Sequence, residues 1–338
     1  MAPRPKPTHP PGSIAPMKAV LGELPTGEGW AYELKWDGMR IVARCDPAAD
    51  TRLWSANGRD VTTSFPELAG LGALVGVRAV LDGEVVVLDD EGQPSFGRLQ
   101  NRMHVTAPSA PLMARHPVVY LVFDLLELDG RLLVDLPYTT RRRLLRELID
   151  DGPVVRVPPS IEGGGRGEGA ALLELARQRG LEGVVAKRLD SRYQPGGRSR
   201  EWIKVKVRLH QELVVGGWLP GQGALTGRIG SLLVGYHEPG TGGAGRLRFA
   251  GAVGSGLTDK HRELLRPRFR PRPTSPFTEV PPLLKPPSWV EPDVVVEISY
   301  GSWADDGLLR HPVFLGIRDD KEPDEVVREL PTRPPNVG

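Results

Sequence analysis

The sequence predicts an α+β fold in which a larger domain of strands and helices precedes a small β-barrel. Up to about residue 208, stretches with the alternating pattern of strands are interspersed with two amphipathic helical stretches. Beyond that point come short strands separated by glycine, which is typical of a small barrel. A chain of 338 residues is also long enough for two domains, each with its own core. We therefore place the larger domain at 18–208 and the smaller at 209–325.

The two ends of the chain are predicted to lie outside these domains. Residues 1–17 and 326–338 contain many prolines, so we expect an extended N-terminal arm and a flexible C-terminal tail. The N-terminus also lacks the apolar core of a signal peptide.

The composition excludes several classes of protein. No apolar run approaches the roughly 20 residues of a membrane span. The single cysteine, Cys45, excludes an internal disulfide or a multi-cysteine zinc site and fits a reducing cytoplasm. The formal net charge of +2 neither indicates nor excludes a nucleic-acid partner, because such binding depends on local patches.

The first strands follow from alternation and from turn signals. Residues 30–45 alternate apolar and polar side chains as a pair of strands would. Residues 52–62 contain Asn57-Gly58, which favours a hairpin turn. Residues 79–96 predict two strands around Asp82-Gly83 and then a turn at residues 90–92.

The rest of the larger domain contains a buried strand, two helices and two further strands. The apolar run at 118–130 predicts a buried strand that ends in a DG turn. Residues 138–151 predict a helix capped by Thr139 or Thr140, with Leu144, Leu145 and Leu148 on its inner face and Arg141–Arg143 on its solvated face. A second helix is predicted at 167–183, closed by Gly180, and strands at GVVAKRLDS and EWIKVKV follow it.

The predicted barrel is rich in glycine. Glycine clusters at 216–230 and 240–256 do not match the phosphate-binding pattern GxxxxGK[ST], so we interpret them as turns between strands. The scattered histidines show no zinc-binding spacing.

Lysine is used sparingly in this chain. Nine of the 44 basic residues are lysine, and Lys35 is the only lysine between residues 19 and 186. Arginine stays protonated and cannot attack an electrophile, whereas a lysine amine can once it has lost its proton. We therefore take Lys35, in ELKWDGMR, as a candidate nucleophile. The next lysines, Lys187, Lys204 and Lys206, lie in EGVVAKR and WIKVK, which we take as further site segments.

Two carboxylates and a cation flank Lys35 in sequence. On a strand, the side chains of Glu33, Lys35 and Asp37 would share one face, with Arg40 just beyond. This arrangement suits attack on a phosphorus electrophile bound to Mg²⁺, because cations neutralise phosphate oxygens. The alternative is an exposed hairpin in which Lys35 pairs with Asp37, and this segment alone does not decide between the two.

Other candidate residues also have two interpretations each. Glu84 and Glu182 lie beside glycine, where they could bind Mg²⁺ or be solvated turn residues. Phe123 could stack on a nucleobase or belong to the core. Lys204 and Lys206 are predicted to share a strand face, where like charges repel unless an anion such as phosphate lies between them.

Together these segments resemble, in order, the motifs of the covalent nucleotidyltransferases, and above all those of the ATP-dependent DNA ligases. ELKWDGMR resembles the first motif, in which the lysine carries AMP, and LWSANGRDVT, LDGEVVVLD and VFDLLELDG resemble the segments that follow. EGVVAKR, WIKVK and RHPVFLGIRDDK resemble the later motifs. RYQPGGRSREWIKVK is especially similar to the stand-alone bacterial ligases and to the ligase module of bacterial end-joining ligases. The resemblance covers about residues 15–325.

The resemblance implies both a fold and a reaction. The fold is a nucleotidyltransferase domain of antiparallel sheets flanked by helices, followed by an oligonucleotide-binding (OB-fold) barrel. In the reaction, Lys35 attacks the α-phosphate of ATP and becomes lysyl-AMP, with Mg²⁺ or Mn²⁺ as the metal. AMP then passes to the 5′-phosphate at a nick in double-stranded DNA, and the 3′-hydroxyl displaces it.

The same resemblance implies roles for the other candidate residues. Glu33 would read the adenine edge, Phe123 would stack on the base, and Arg40 and Glu84 would hold the ribose. The remaining implied roles are metal binding by Glu84 and Glu182, phosphate contact by Arg198, Lys204 and Lys206, and pyrophosphate orientation by Arg318, Asp320 and Lys321 on the barrel.

One position departs from the family pattern. Many relatives have an arginine after the serine of the second motif, whereas this sequence has Ala56. Arg59 is the candidate to take over that phosphate contact and to bind DNA.

Two other functions are compatible with parts of this pattern. One is a non-catalytic accessory factor that binds DNA ends, and the other is an RNA-capping guanylyltransferase. The presence of every candidate residue favours the ligase over the accessory factor. The sequence leaves open the repair pathway, the preferred metal, tolerance of RNA at the 3′ side and any recruiting DNA-repair proteins. We expect a cytoplasmic, nucleoid-associated monomer with no membrane partner.

Overall fold

The computed structural model describes residues 13–103, 105–165, 167–207, 209–238, 245–280, 282–283, 285–304 and 306–329. These residues form two compact units, one ending at Val207 and one ending at Glu329. Most of the predicted arm and tail lies outside the described residues. Their inner ends are packed: Met17 is fully buried, and Val326 belongs to the core of the second unit.

Two sheets and five helices build the described part of the first unit. The strands are β1 (Lys18–Leu21), β2 (Trp30–Lys35), β3 (Met39–Asp46), β4 (Ala49–Ser55), β5 (Ala79–Val87), β6 (Val118–Leu128), β7 (Arg131–Leu132), β8 (Val155–Arg156), β9 (Ile161–Glu162), β10 (Gly183–Arg188) and β11 (Arg198–Lys206). The helices are α1 (Leu71–Val75), α2 (Phe96–Met103), α3 (Ala110–Arg115), α4 (Tyr138–Leu148) and α5 (Glu168–Gln178).

The strand order explains where the core lies. The first sheet has the order β1-β11-β10-β2-β9, and the second has the order β4-β3-β5-β6-β7. Most pairs are antiparallel, but β1 pairs with β11, and β6 with β8, in parallel. Apolar residues at alternate positions of β2 and β10 pack against α5, and Leu145 of α4 packs against the second sheet. The predicted α+β fold with flanking helices is therefore confirmed.

Several local predictions for this unit are confirmed. The turn after β4 places Gly58 at a φ of 77°, where the Asn-Gly signal predicted a hairpin turn. The apolar run from 118 forms β6 and ends in a turn with Gly130 at a φ of 76°. Gly180, with a φ of 65°, follows α5 as predicted.

Other local predictions are wrong. Asp82-Gly83 does not form a turn, because both residues lie inside the continuous strand β5. Glycine is needed at 83 for close packing, since a Cβ there would come within 2.6 Å of the Tyr120 ring. Helix α4 begins after Pro137 without a side-chain cap, so neither predicted threonine caps it.

The second unit is built mainly from β-strands. Its elements are β12 (His210–Pro220), β13 (Ile229–His237), β14 (Leu247–Val253), α6 (Asp259–Leu265), β15 (Ser288–Ser299), β16 (Ser302–Trp303), β17 (Leu309–Arg310) and β18 (Val313–Ile317). Five strands form an antiparallel sheet in the order β14-β13-β12-β15-β18. One bridge, between Ser255 and Val313, links the two edges of this sheet.

The glycine clusters of the second unit are only partly turns. Gly216 lies within β12, and a Cβ there would come within 2.5 Å of the Phe277 ring. Part of the second cluster, residues 240–244, lies outside the described residues. No helix in the described ranges has the length and apolar character needed to span a membrane.

Candidate active site

The register of the first sheet brings three predicted site segments side by side. Lys35 ends β2 opposite Gly183 of β10, and Gly183 lies opposite Lys206 at the end of β11. Directly opposed residues, and residues two apart on one strand, project from the same face. Glu33, Lys35, Lys204 and Lys206 therefore share one face. The spacing predicted that Glu33 lies on the same face as Lys35 and Lys204 on the same face as Lys206, and the register of the sheet joins the two pairs.

Glu182, the residue before β10, contacts two of these lysines. The Nζ of Lys35 donates a hydrogen bond to Oε2 of Glu182, and the Nζ of Lys206 lies 3.8 Å from Oε1. The side chain of Lys35 is 22% exposed, whereas those of Lys206 and Glu182 are 5% exposed. Of these three side chains, Lys35 is thus the one that a substrate reaches most easily.

The alternative interpretation of the Lys35 segment as an exposed hairpin is wrong. Strand β2 ends at Lys35, so Asp37 lies beyond it and does not continue the shared face. The next strand, β3, belongs to the other sheet, so residues 30–45 form two strands that do not pair with each other. The chain therefore passes from one sheet to the other directly after Lys35.

A buried network surrounds Glu33. The hydroxyl of Tyr138 donates a hydrogen bond of 2.5 Å to Oε1 of Glu33, and the Nζ of Lys187 lies 2.9 Å from Oε2. Tyr138 also shares a hydrogen bond of 2.8 Å with the hydroxyl of Ser160. Burial lowers the pKa of Lys187, and the Glu33 carboxylate opposes this shift.

Arg40, on the second sheet, is held by Asp82. Its Nε and Nη2 donate to the two carboxylate oxygens of Asp82 at 2.6 and 2.7 Å, and the hydroxyl of Tyr193 donates to the same carboxylate at 2.6 Å. Burial alone would lower the pKa of Arg40, but the carboxylate outweighs it and raises that pKa. Arg40 is therefore a fixed cation that remains charged.

The ring of Phe123 contacts side chains from both sheets. Asp82 and Gly83 are consecutive on β5, but their partners on β6 are Asp124 and Val122, so Phe123 is the extra residue of a β-bulge. The guanidinium of Arg40 and the Nζ of Lys187 lie 4.5 and 4.6 Å from the centroid of the Phe123 ring. A bulge changes the direction in which a side chain projects from the sheet. Here it places an aromatic ring beside cations from both sheets.

The two predicted metal ligands fit a metal that binds together with a nucleotide. Across the described ranges, no group of three or more His, Cys, Asp and Glu residues could hold a metal ion. Mg²⁺ in nucleotide sites takes one or two carboxylates and completes its shell with phosphate and water. Glu182 lies beside the lysines, and Glu84 lies opposite Arg40 across the β3–β5 pair. Each supplies one carboxylate of the required kind.

Arg198 lies apart from the two lysines with which it was grouped. It begins β11 opposite Lys18, whereas Lys204 and Lys206 lie at the other end of the strand. Six residues of extended chain span roughly 20 Å. Arg198 is exposed and donates to the carbonyl of Ala19 at 3.2 Å. Its phosphate contact stays a prediction, and it would involve a different phosphate group.

Ala56 and Arg59 lie in the turn that follows β4. The side chain of Arg59 is exposed, and its backbone closes the turn, because its N–H donates to the hydroxyl of Ser55 at 3.2 Å. Ala56 is half-buried. The predicted contact of Arg59 with DNA stays a prediction.

The three site residues predicted for the second unit form charge pairs within that unit. Arg318 donates to both carboxylate oxygens of Asp320 at 2.9 Å and to Glu297 at 2.7 Å. The Nζ of Lys321 lies 3.2 Å from Oε1 of Glu212. Their contact with pyrophosphate stays a prediction.

Sequence reasoning assigned no role to four residues of these networks. Nothing in the sequence indicated a site role for Tyr138 and Tyr193, because a single tyrosine in a helical or loop segment is interpreted as a core residue. Asp82 was read as part of a turn. Lys187 did carry a signal, because lysine is rare in this chain and its segment EGVVAKR resembles a ligase motif.

The two-sheet first unit, with Lys35 at the passage between its sheets, and the mainly β second unit define a fold of the nucleotidyltransferase class. Residues 15–206 match the family profile described as ATP dependent DNA ligase domain, and residues 225–321 match ATP dependent DNA ligase C terminal region. The chain belongs to the ATP-dependent DNA ligase family. The predicted resemblance is therefore confirmed.

Individual relatives agree with this assignment. The chain is 42% identical over 324 residues to the multifunctional non-homologous end joining DNA repair protein LigD of Mycobacterium tuberculosis, covering 94% of this chain and 40% of that protein. It is 39% identical to the corresponding protein of Pseudomonas aeruginosa, covering 95% of this chain and 37% of that protein. The chain thus spans about two-fifths of the length of these curated relatives.

Solved structures show the same fold. A mycobacterial DNA ligase D complexed with ATP and MES has 41% sequence identity and a TM-score of 0.64, covering 94% of this chain and 98% of that one. The ligase domain of Mycobacterium tuberculosis LigD has 40% identity and a TM-score of 0.51, with the same coverage.

Proposed function

We propose that this chain is an ATP-dependent DNA ligase that seals nicks between a 5′-phosphate and a 3′-hydroxyl. The observation that carries the proposal is the contact of Lys35 with Glu182 on a sheet face that also bears Lys204 and Lys206. A partly exposed amine beside a carboxylate and further cations suits attack on a phosphate group.

In the first step, the deprotonated amine of Lys35 attacks the α-phosphorus of ATP, and the bond to pyrophosphate breaks. The nitrogen releases one proton to solvent, and the lysine carries AMP through a P–N bond. Glu182 fixes the direction of the amine, and Lys204 and Lys206 stabilise the negative charge on the phosphate oxygens. Glu33 accepts from the adenine edge, and Phe123 stacks on the base. Arg40 and Glu84 hold the ribose.

The nucleotide is then transferred to DNA. The 5′-phosphate at the nick takes AMP from Lys35, and the 3′-hydroxyl displaces AMP as the phosphodiester bond forms. Mg²⁺ or Mn²⁺, held by Glu182 and Glu84 with phosphate, would neutralise part of the negative charge. Arg59 would contact the DNA backbone, and Arg318, Asp320 and Lys321 would orient the leaving pyrophosphate.

The similarity to end-joining proteins supports a role in the repair of DNA breaks. Other DNA-repair proteins are the proposed partners of this chain at the break. We further propose that the enzyme acts as a monomer in the cytoplasm, at the nucleoid.

Intact mass tests the nucleotide step. After incubation with ATP and Mg²⁺, the wild-type protein should gain the mass of one AMP, and Lys35→Ala should not. Lys260→Ala, a lysine substitution in α6 of the second unit, is the control and should keep the adduct. A folded wild-type protein that gains no nucleotide from ATP or GTP would favour the non-catalytic accessory factor. An adduct with GTP but not ATP would favour the guanylyltransferase.

Adenylated protein mixed with nicked DNA tests the second step. We expect loss of the AMP mass and a sealed strand on a denaturing gel. Adenylation without sealing of any nicked duplex would contradict the DNA-ligase assignment while leaving the lysyl-AMP step intact.

A further inference from the structure

Three side chains from distant parts of the sequence meet in one buried network. Glu33 belongs to β2, Tyr138 begins α4, and Lys187 belongs to β10. Their exposures are 4%, 2% and 2%. A buried carboxylate needs partners, and here Oε1 of Glu33 accepts a hydrogen bond from Tyr138, whereas Oε2 forms an ion pair with Lys187 at 2.9 Å.

The number of protons on each group fixes the direction of the hydrogen bonds in this network. The hydroxyl of Tyr138 donates its only proton to Glu33, so the hydroxyl of Ser160 must donate to Tyr138. Burial, followed by the neighbouring Glu33, raises the pKa of Tyr138 well above its ordinary value, so its hydroxyl keeps the proton that it donates.

The same network touches the predicted base-stacking residue. The Nζ of Lys187 lies 4.6 Å from the centroid of the Phe123 ring and 4.4 Å from that of Trp202. The side chain of Lys187 therefore cannot turn towards solvent without losing its contacts with these aromatic rings. This packing holds its ammonium group beside Oε2 of Glu33.

We propose that Tyr138 and Lys187 set a preference for adenine over guanine by holding the Glu33 carboxylate in a fixed orientation as an acceptor. This inference rests on the proposed function, because it assigns a specificity device to the nucleotide site.

The discrimination follows from the two bases. A carboxylate has about four acceptor positions, of which Tyr138 occupies one on Oε1, while Lys187 lies beside Oε2 as an ion pair, so positions remain for a donor on the substrate. Adenine presents an amino group at its 6-position, whereas guanine presents a carbonyl oxygen there. A carbonyl facing the carboxylate would repel it and leave both groups without a donor. Tyr138 and Lys187 are thus positioning residues that act through Glu33.

The test compares three nucleotides and two tyrosine variants. The nucleotides are ATP, GTP and purine riboside 5′-triphosphate, which resembles ATP but lacks the 6-amino group. The variants are Tyr138→Phe and a matched control, Tyr120→Phe. Tyr120 is also fully buried and donates to backbone carbonyls of Ile41 and Leu81, at 2.9 and 3.1 Å. The readout is kcat/KM for formation of the lysyl-nucleotide, followed by intact mass.

We expect Tyr138→Phe to lower kcat/KM for ATP by about 10- to 100-fold, mainly through KM, because it removes a hydrogen bond to a charged group. The same variant should use purine riboside triphosphate within about threefold of wild type, since no amino group is read. The ratio of ATP to GTP use should fall accordingly. Tyr120→Phe should leave that ratio unchanged.

An equal loss with ATP and purine riboside triphosphate would show that Tyr138 is only structural and would overturn this inference. If Tyr138→Phe does not fold, Ser160→Ala replaces it, with a smaller change of the ATP-to-GTP ratio in the same direction, and an unchanged ratio then overturns the inference. A wild-type protein that forms no lysyl-nucleotide would instead overturn the proposed function, which is a distinguishable result.

Discussion

Lys35 and Glu182 are joined by a hydrogen bond although 147 residues separate them in sequence. The contact follows from the antiparallel pairing of β2 and β10, which places Lys35 opposite Gly183, the residue after Glu182. The candidate nucleophile is therefore oriented by a carboxylate whose position depends on the register of the sheet.

The first prediction concerns that carboxylate. Glu182→Gln keeps the size of the side chain but removes the charge that contacts Lys35 and Lys206. We expect lysyl-AMP formation to fall by roughly 100-fold or more. Single-turnover kinetics would measure the loss, and circular dichroism would confirm folding. Glu174→Gln on α5, where Glu174 pairs with Arg177 at the surface, is the control. Activity of Glu182→Gln within threefold of wild type would contradict the role of Glu182.

The second prediction compares two arginines of one helix. Arg141 is fully buried and donates to both oxygens of Asp124, at 2.7 and 3.0 Å, whereas Arg143 is exposed and pairs with Glu147. Arg141→Met would leave Asp124 as an unpaired buried charge, so the free energy of unfolding should fall by about 3–5 kcal/mol. Arg143→Met should change it little. Urea unfolding of both variants measures the difference. Equal losses of unfolding free energy in the two variants would contradict this prediction.

The third prediction concerns Arg59. If this exposed side chain contacts a DNA phosphate, Arg59→Ala should weaken binding to nicked DNA and reduce the slope of log K against log salt by about one. Lysyl-AMP formation should be unchanged. Arg52→Ala is the matched control, because Arg52 is an exposed arginine of the same hairpin that pairs with Asp60 at 3.4 Å. Equal salt slopes for Arg59→Ala and wild type would argue against the phosphate contact.

The fourth prediction concerns acid stability of the second unit. Burial alone would raise the pKa of Glu297, but Arg318 and His210 outweigh it and lower that pKa from 4.5 to about 2. Because the folded-state pKa lies below the unfolded one, the stabilisation is present above pH 4.5 and is lost as pH falls towards 2. Hydrogen exchange of β15 peptides, corrected for intrinsic rates, should show falling protection in this range. The fall should be smaller in Glu297→Gln, and an identical profile would contradict the assignment.

Helix α4 and strand β5 show which structural features local sequence patterns predict correctly. The apolar period placed α4 correctly, with Leu145 buried and Leu144 and Leu148 packed beside it. The same helix was expected to expose Arg141. Arg141 is instead buried, because it pairs with Asp124, which lies on another element. Asp82-Gly83 carries a turn signal, yet pairing on both sides keeps it inside β5. Local signals held where the tertiary structure agreed with them, as for the leucines of α4, and failed where a partner from another element opposed them, as at Asp82-Gly83 and Arg141.

The sequence by itself determined the alternation of strands and helices, the rarity of lysine that singles out Lys35, and the segments that resemble ligase motifs. These features depend on side chains at fixed spacings along one strand or helix. Only the tertiary structure decided that β2 and β3 enter different sheets, that Glu182 meets Lys35, and that Tyr138 and Lys187 enclose Glu33. Such contacts arise from strand register and from burial, because a polar group in the interior is stabilised by a partner that can come from any part of the chain.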